Sequence, residues 1–171
     1  MKKLFAALMA LCLMLSAAAF AQETLTVKWD DYEAKAAAME GRFAEVGNTG
    51  LKMFIPAQFK DTRLSEETLA GGTFMVLKQE GGDGIVTAQV VKLDIDSFKA
   101  SPNKQGMTLY ASTVNGIPFI QFNAETNGTT NTVLALSMDQ NTTLVFSFAP
   151  FNRDPYTDLF KVMAASLQKA E

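Results

Sequence analysis

The chain has 171 residues and a hydrophobic share of 48%, which is enough for one domain with an ordinary hydrophobic core. Its 15 lysines and arginines against 18 aspartates and glutamates give a formal net charge of −3 at pH 7. This mildly acidic balance argues against binding to nucleic acid or to an anionic membrane through a basic patch.

Residues 1–21 have the pattern of a cleavable export signal. Two lysines precede an apolar run, and residues 19–21 read A-F-A, so signal peptidase would leave a mature chain starting near Gln22. The apolar run is shorter than the about 20 residues of a membrane span, and the alternative is an uncleaved anchor. Cys12, the one cysteine, would leave with the signal. Residues 22–171 would then form a single exported domain without disulfides, in the periplasm or outside the cell.

The first half of this domain predicts one helix and four strands. Alanines and an apolar stripe at helical spacing predict a helix over residues 30–40, with Asp30 in a capping box. Two β-rich runs on either side of a turn-rich segment predict a hairpin over 42–55. Strands are predicted over 73–79 and 85–93 around a glycine-rich loop. Apolar side chains point to both sides of the run 85–93, which indicates an interior strand of a sheet.

Two segments of the chain lack a regular pattern. Residues 57–72 are interpreted as a connector with one helical turn over 65–69. Residues 94–105 allow a helical turn over 97–100, but Pro102 prevents a longer helix.

The second half predicts a meander of four strands. Strands over 107–114 and 117–125 are joined by Asn115-Gly116, two residues that tolerate the positive φ angles of a type I′ turn. Strands over 132–139 and 143–149 show alternating apolar residues, and a register shift by one residue would move those side chains to the wrong face.

The last predicted element is a helix over residues 155–169. Asp154 is a suitable N-cap, Pro155 fits the first helical position, and apolar residues recur at i, i+3, i+4 and i+7. The apolar stripe has to be buried, and the preceding meander offers the nearest apolar face. The prediction is therefore an α+β domain with a single, largely antiparallel sheet and the N- and C-terminal helices packed on it. A β-sandwich with one added helix is the alternative.

Three segments resemble the Mog1/PsbP-like group of α/β/α sandwich domains. They are "GLKMFIPAQF" (50–59), "TVNGIPFIQF" (113–122) and "FSFAPFNRDPYTDLFKVMAASL" (146–167), and the similarity covers about residues 40–169. The resemblance implies the same sandwich and favours a binding or assembly role over catalysis. One departure is the short, Pro102-containing segment where the group would have a longer helix. No functional motif matches, so the resemblance assigns no functional residue.

The sequence predicts no catalytic, cofactor-binding or metal-binding residue. The lack of histidine excludes the usual general base and the commonest metal ligand. The glycine-rich residues 81–84 precede a strand, which is typical of a hairpin loop and not of a phosphate-binding loop. Asp94 and Asp96 begin like a calcium loop, but Lys99 and Gln105 occupy the sixth and twelfth positions, where glycine and glutamate are required.

The remaining polar motifs have structural interpretations. The acidic pairs Asp30-Asp31 and Glu66-Glu67 fit helix starts, where negative charge meets the positive end of the helix dipole. The glycosylation-like triplets at Asn127 and Asn141 fall in predicted turns, where asparagine and threonine are favoured in any case.

These observations lead to the expectation of an exported α+β domain that is not an enzyme and uses no cofactor. It would bind or assemble with a protein of the cell envelope or extracellular space, without contacting nucleic acid or inserting into a membrane after signal cleavage. One alternative is a carrier of a small apolar ligand in a gap between helix and sheet near Phe119 or Phe148. Another is a hydrolase that uses two carboxylates facing each other across a cleft.

Overall fold

A computed structural model describes residues 25–126 and 128–170 of the chain. The predicted signal 1–21 and the glycosylation-like Asn127 lie outside the described residues. Among the described residues, no helix has the length and apolar character that a membrane crossing requires.

The described residues form strands, short α-helices and two 3-10 turns. The strands are β1 (Leu25–Val27), β2 (Gly41–Glu45), β3 (Leu51–Pro56), β4 (Phe59–Asp61), β5 (Thr73–Gln79), β6 (Ile85–Val91), β7 (Tyr110–Val114), β8 (Ile117–Thr126), β9 (Thr129–Ser137), β10 (Thr143–Ala149) and β11 (Gln168–Lys169). The helices are α1 (Glu33–Ala37), α2 (Glu66–Ala70), α3 (Ile95–Ala100) and α4 (Tyr156–Ala165), and the 3-10 turns are Trp29–Asp31 and Pro102–Lys104.

The strands form two sheets. The larger sheet has eight strands in the order β1-β7-β8-β9-β10-β6-β5-β4, and the smaller sheet has the order β11-β3-β2. Every neighbouring pair is antiparallel except β1 and β7, which run parallel. The predicted α+β class and mainly antiparallel pairing are therefore confirmed, whereas the prediction of a single sheet is wrong.

The predicted meander is present as β7 to β10. Asn115 and Gly116 join β7 to β8 with φ angles of 49° and 79°, as a type I′ turn requires. In β10 the side chains of Leu144, Phe146 and Phe148 are fully buried in the main core, so these three residues share one face as predicted, while Val145 is buried on the opposite face. Strand β6 lies between β5 and β10, which confirms that it is an interior strand.

Both faces of the larger sheet are covered, one by the predicted C-terminal helix and the other by a segment that was not predicted to cover it. One face packs against α4 and the apolar face of β3 in the main core. The other face packs against Phe98 of α3, which contacts a cluster around Phe122, Val133 and Val145. Helix α3 lies where the sequence predicted no more than one turn, and it ends at Ala100, before Pro102.

The N-terminal helix does not pack on the larger sheet, which corrects the predicted sandwich. Helix α1 has five residues and packs through Ala36 against Phe54 of β3 and Val162 of α4. The physical reason is the burial of β3 on both sides, since Met53 and Ile55 face the main core and Phe54 faces α1. A strand buried on both sides needs cover on its outer face, and α1 supplies it.

The C-terminal helix is shorter than predicted at both ends. It starts at Tyr156 without a side-chain cap, because the N–H groups of Tyr156 and Thr157 bond to the carbonyl of Arg153 and do not use Asp154. It stops at Ala165, and the following residues pair with β3 as strand β11. In the connector 57–72, the helical turn predicted over 65–69 is present as α2, whereas strand β4 was not predicted.

Candidate binding sites

The carboxylates that the sequence singled out have structural roles. Asp94 caps α3, with Oδ1 accepting from the N–H of Ser97 at 2.9 Å and that of Asp96 at 3.0 Å, and Oδ2 accepting from Ser97 Oγ at 2.5 Å. The hydrogen bonds from Ser97, and less strongly that from Asp96, lower the pKa of Asp94 below its usual 3.8. Asp96 forms an ion pair with Lys99 at 2.6 Å. The described residues contain no cluster of three or more His, Cys, Asp or Glu able to hold a metal.

The other polar motifs are also structural. Asp30-Asp31 lie in the first turn of a 3-10 helix, and Glu66-Glu67 lie in the first turn of α2. The loop 81–84 connects β5 to β6 as a hairpin, as predicted. It is held to the start of α4, because the N–H of Asp83 donates to the Tyr156 hydroxyl at 2.9 Å and the Asp83 carboxylate pairs with Arg153.

A groove runs between the free edges of the two sheets, and we call it the edge groove. It consists of two adjoining pockets of about 310 and 470 Å³ that share Arg42, Ile55 and Asp61. Within residues 25–126 and 128–170, strand β2 pairs only with β3 and strand β4 only with β5, so each has one edge without a strand partner from this part of the chain. A β-strand edge of this kind offers unpaired backbone N–H and C=O groups to another chain.

The wall that β2 contributes to the edge groove is unusually accessible. Four of its five residues are exposed. Phe43 is 40% exposed, and its ring packs edge-to-face on Trp29 at 5.4 Å and on Phe54 at 5.8 Å between ring centroids. Because two rings support it, Phe43 is a pre-oriented aromatic side chain on the surface.

The edge groove contains two carboxylates that bear on the hydrolase alternative. Glu45 and Asp61 both line its larger pocket, and both residues are exposed. A carboxylic acid that acts as a general acid near neutral pH is normally shielded from water. The solvent exposure of Glu45 and Asp61 therefore gives no support to acid–base chemistry in the groove.

A second space, which we call the helix pocket, lies between α4 and the larger sheet and has a volume of about 370 Å³. Ala164 and Ala165 of α4 line it, and their small side chains leave room above the sheet residue Leu134. The wall is mostly apolar, with a few polar groups that include Gln121 and Thr132. This combination is typical of a small-molecule site.

The helix pocket is not where the sequence placed a ligand gap. Phe119 and Phe148 are 2% and 0% exposed and belong to the main core, and neither lines the helix pocket. The pocket lies instead beside Leu134 and Phe151. The sequence signal that could have indicated it is the pair of adjacent alanines in a helix whose other inward residues are large.

The chain has a PsbP-like fold, as a comparison with solved structures shows. The solution structure of cyanobacterial PsbP (CyanoP) from Synechocystis superposes with a TM-score of 0.55 at 11% sequence identity, over 77% of this chain and 93% of that chain. A crystal structure from Bacteroides thetaiotaomicron superposes with a TM-score of 0.50 at 12% identity, over 78% of this chain and 50% of that chain. The chain therefore spans about half the length of the second structure. These identities establish the fold alone.

Sequence comparison adds no family to this result. No protein-family model matches the sequence, and no curated protein matches it. The resemblance to PsbP-like domains inferred from three sequence segments is thus confirmed by the structure at the level of the fold.

Proposed function

We propose that this chain is an exported, non-catalytic module that binds a protein of the cell envelope or extracellular space. The observation that carries the proposal is the edge groove, where β2 presents an accessible strand edge. An extended segment of a partner would pair with β2 and add a strand to the smaller sheet. The export signal predicted over residues 1–21 supports a location outside the cytoplasm.

The groove suggests the chemistry of the partner segment. Both partners in a strand pair rise by about 3.3 Å per residue, so the five residues of β2 would pair with a segment of about five residues. Ile55 and Met75 would receive apolar side chains, whereas Arg42, Glu45 and Asp61 present both signs of charge. We therefore infer that the partner segment is extended, with alternating apolar and charged side chains. Phe43 would be its aromatic anchor, since interface energy concentrates in such residues.

The proposal is tested with a substitution on β2 and a matched control. Phe43→Lys places a charge on the edge of β2. The control, Leu69→Lys, places the same charge away from that edge, at an apolar residue of α2 that is 51% exposed. Cross-linking in the native envelope should recover one partner with the wild type and with Leu69→Lys, but not with Phe43→Lys.

The purified partner then provides the decisive measurement. On binding, the backbone N–H groups of residues 41–45 should exchange with solvent more slowly, because some of them become hydrogen-bonded to the added strand. Repeated failure to recover a partner, or protection confined to another surface, would show that the edge groove is not the site.

A second candidate function, a carrier of a small apolar ligand, is favoured by the helix pocket. Its volume of about 370 Å³ lies in the range of known ligand sites. A fluorescent apolar dye should bind with one-to-one stoichiometry, and Ala164→Leu should abolish binding by filling the pocket. Phe43→Lys should leave dye binding unchanged, so the two candidates are tested separately. Equal dye binding by Ala164→Leu and the wild type would refute the carrier function.

A further inference from the structure

We propose that the face of the larger sheet opposite α4 carries a separate site, which binds a carboxylate attached to an apolar chain. The site is a groove of about 380 Å³ between the sheet and the segment that contains α3 and the 3-10 turn Pro102–Lys104. We call it the lysine groove. It shares no residue with the edge groove or the helix pocket.

Lys104 is the residue that defines the lysine groove. It lines the groove and is only 9% exposed. Its Nζ donates to Ser101 Oγ at 3.0 Å and to Asn103 Oδ1 at 3.1 Å, and it lies 3.8 Å from the centroid of the Phe98 ring. Both acceptors are neutral, and an ammonium group has three N–H donors, so among the described residues one donor has no oxygen acceptor, although the ammonium also lies over the Phe98 ring.

The positive charge of Lys104 lacks a protein counter-charge. None of the ion pairs among the described residues includes it. No aspartate or glutamate lines the groove. Burial of an ammonium group without an anionic partner is unfavourable, and burial lowers the pKa of Lys104. An anion that enters the groove would reduce this cost, because it would pair with a charge that is already partly desolvated.

The remaining walls of the groove determine what the anion is attached to. Phe122, Val133 and Val145 form an apolar floor on the sheet, and Met107 adds a flexible apolar side chain. Apolar side chains of this kind bind a hydrocarbon chain by removing its surface from water. Lys104 is the one cation among the described lining residues, which also include the neutral polar residues Gln89 and Ser147. A single positive charge matches a carboxylate better than a phosphate, which carries more charge and more acceptor oxygens. The ligand class is therefore an aliphatic or aromatic carboxylate.

Nuclear magnetic resonance titrations of the intact protein test this assignment. The probes are octanoate, octanol, acetate and inorganic phosphate. Octanoate should bind saturably, with the largest shifts at the backbone amides of residues 98–107. Octanol lacks the charge and should bind about tenfold more weakly, which corresponds to the loss of one charged hydrogen bond. Acetate lacks the chain and should also bind more weakly, and phosphate should bind no better than acetate.

Two lysine variants supply the matched comparison. Lys104→Met keeps the length of the side chain and removes the charge, so octanoate should bind about tenfold more weakly. Lys99→Met removes a partly exposed charge that already pairs with Asp96 on the same segment, so affinity should change by less than about twofold. If octanoate causes no saturable shifts, or phosphate binds more tightly than octanoate, the assignment is wrong. Equal binding of octanoate and octanol by the wild type would overturn it without the need for any variant.

Discussion

Asn115 is the side chain whose removal should most clearly show how the separate parts of the fold are joined. It lies in the turn between β7 and β8. Its Oδ1 accepts from the N–H of Trp29 at 2.7 Å, and its Nδ2 donates to the carbonyls of Ala165 at 2.7 Å and Leu167 at 2.8 Å. One amide therefore links the hairpin to the N-terminal segment and to the end of α4.

The expected loss of stability follows from these contacts. Asn115→Ala removes three hydrogen bonds that contribute about 1 kcal/mol each, so their loss should lower the free energy of unfolding by about 3 kcal/mol. The φ angle of 49° adds about 1 kcal/mol to this loss of stability for alanine, because the alanine Cβ disfavours the left-handed region. Asn115→Gly loses the same hydrogen bonds without this strain, so we expect about 3 kcal/mol for glycine and about 4 kcal/mol for alanine.

The assay is urea unfolding followed by circular dichroism, with the slope of the free energy against urea compared among the variants. An unchanged slope would show that the loss comes from native contacts. If both variants lose less than about 1 kcal/mol, the three hydrogen bonds do not hold the elements together as argued. If Asn115→Gly equals the wild type while Asn115→Ala does not, the φ angle alone would explain the residue.

Three further substitutions test the core, a buried polar contact and a helix cap. Phe160→Ala should lower the free energy of unfolding by about 3–5 kcal/mol in the same urea assay, because the ring is fully buried among four other aromatic rings. Ser166→Ala should cost about 1–3 kcal/mol, because the buried N–H of Phe54 loses the Oγ that accepts from it at 2.7 Å, and exchange of that N–H should accelerate. Asp94→Asn should lower the melting temperature near neutral pH. Because the folded-state pKa of Asp94 is lowered, the charged side chain contributes stability at pH values above 3.8. This stability is lost as the pH falls through the folded-state pKa. Below that pH the two proteins should melt alike. A melting difference that persists in acid would show that the charge of Asp94 is not what stabilises the cap.

Features that depend on neighbouring residues were predictable from the sequence. The turn at Asn115-Gly116 needs two residues that tolerate positive φ, and the pattern of β10 needs only alternation along one strand. The helix caps were predicted less well, because the caps expected at Asp30 and Asp154 do not form. Asp94 and Ser65, which were not identified as caps from the sequence, accept hydrogen bonds from N–H groups two or three residues on.

The candidate sites were not predictable in the same way. The edge groove combines Arg42 of the smaller sheet with Asp61 and Phe74 of the larger sheet. The lysine groove depends on Lys104 folding back over Phe98, in a segment where the sequence indicated little regular structure. In each case the spacing along the chain carries no information about the contact, because elements distant in sequence supply the opposite walls.

The sequence by itself determined the identity of most strands, the main hairpin turn, the amphipathic helix α4 and the absence of histidine- and cysteine-based chemistry from residues 22–171. Only the tertiary structure decided that β3 belongs to a second, smaller sheet, that β11 pairs with β3 in that sheet, and that α1 packs on α4. The physical reason is that periodicity shows which side of a segment is apolar, whereas the surface that covers that side is chosen by packing among all the elements at once.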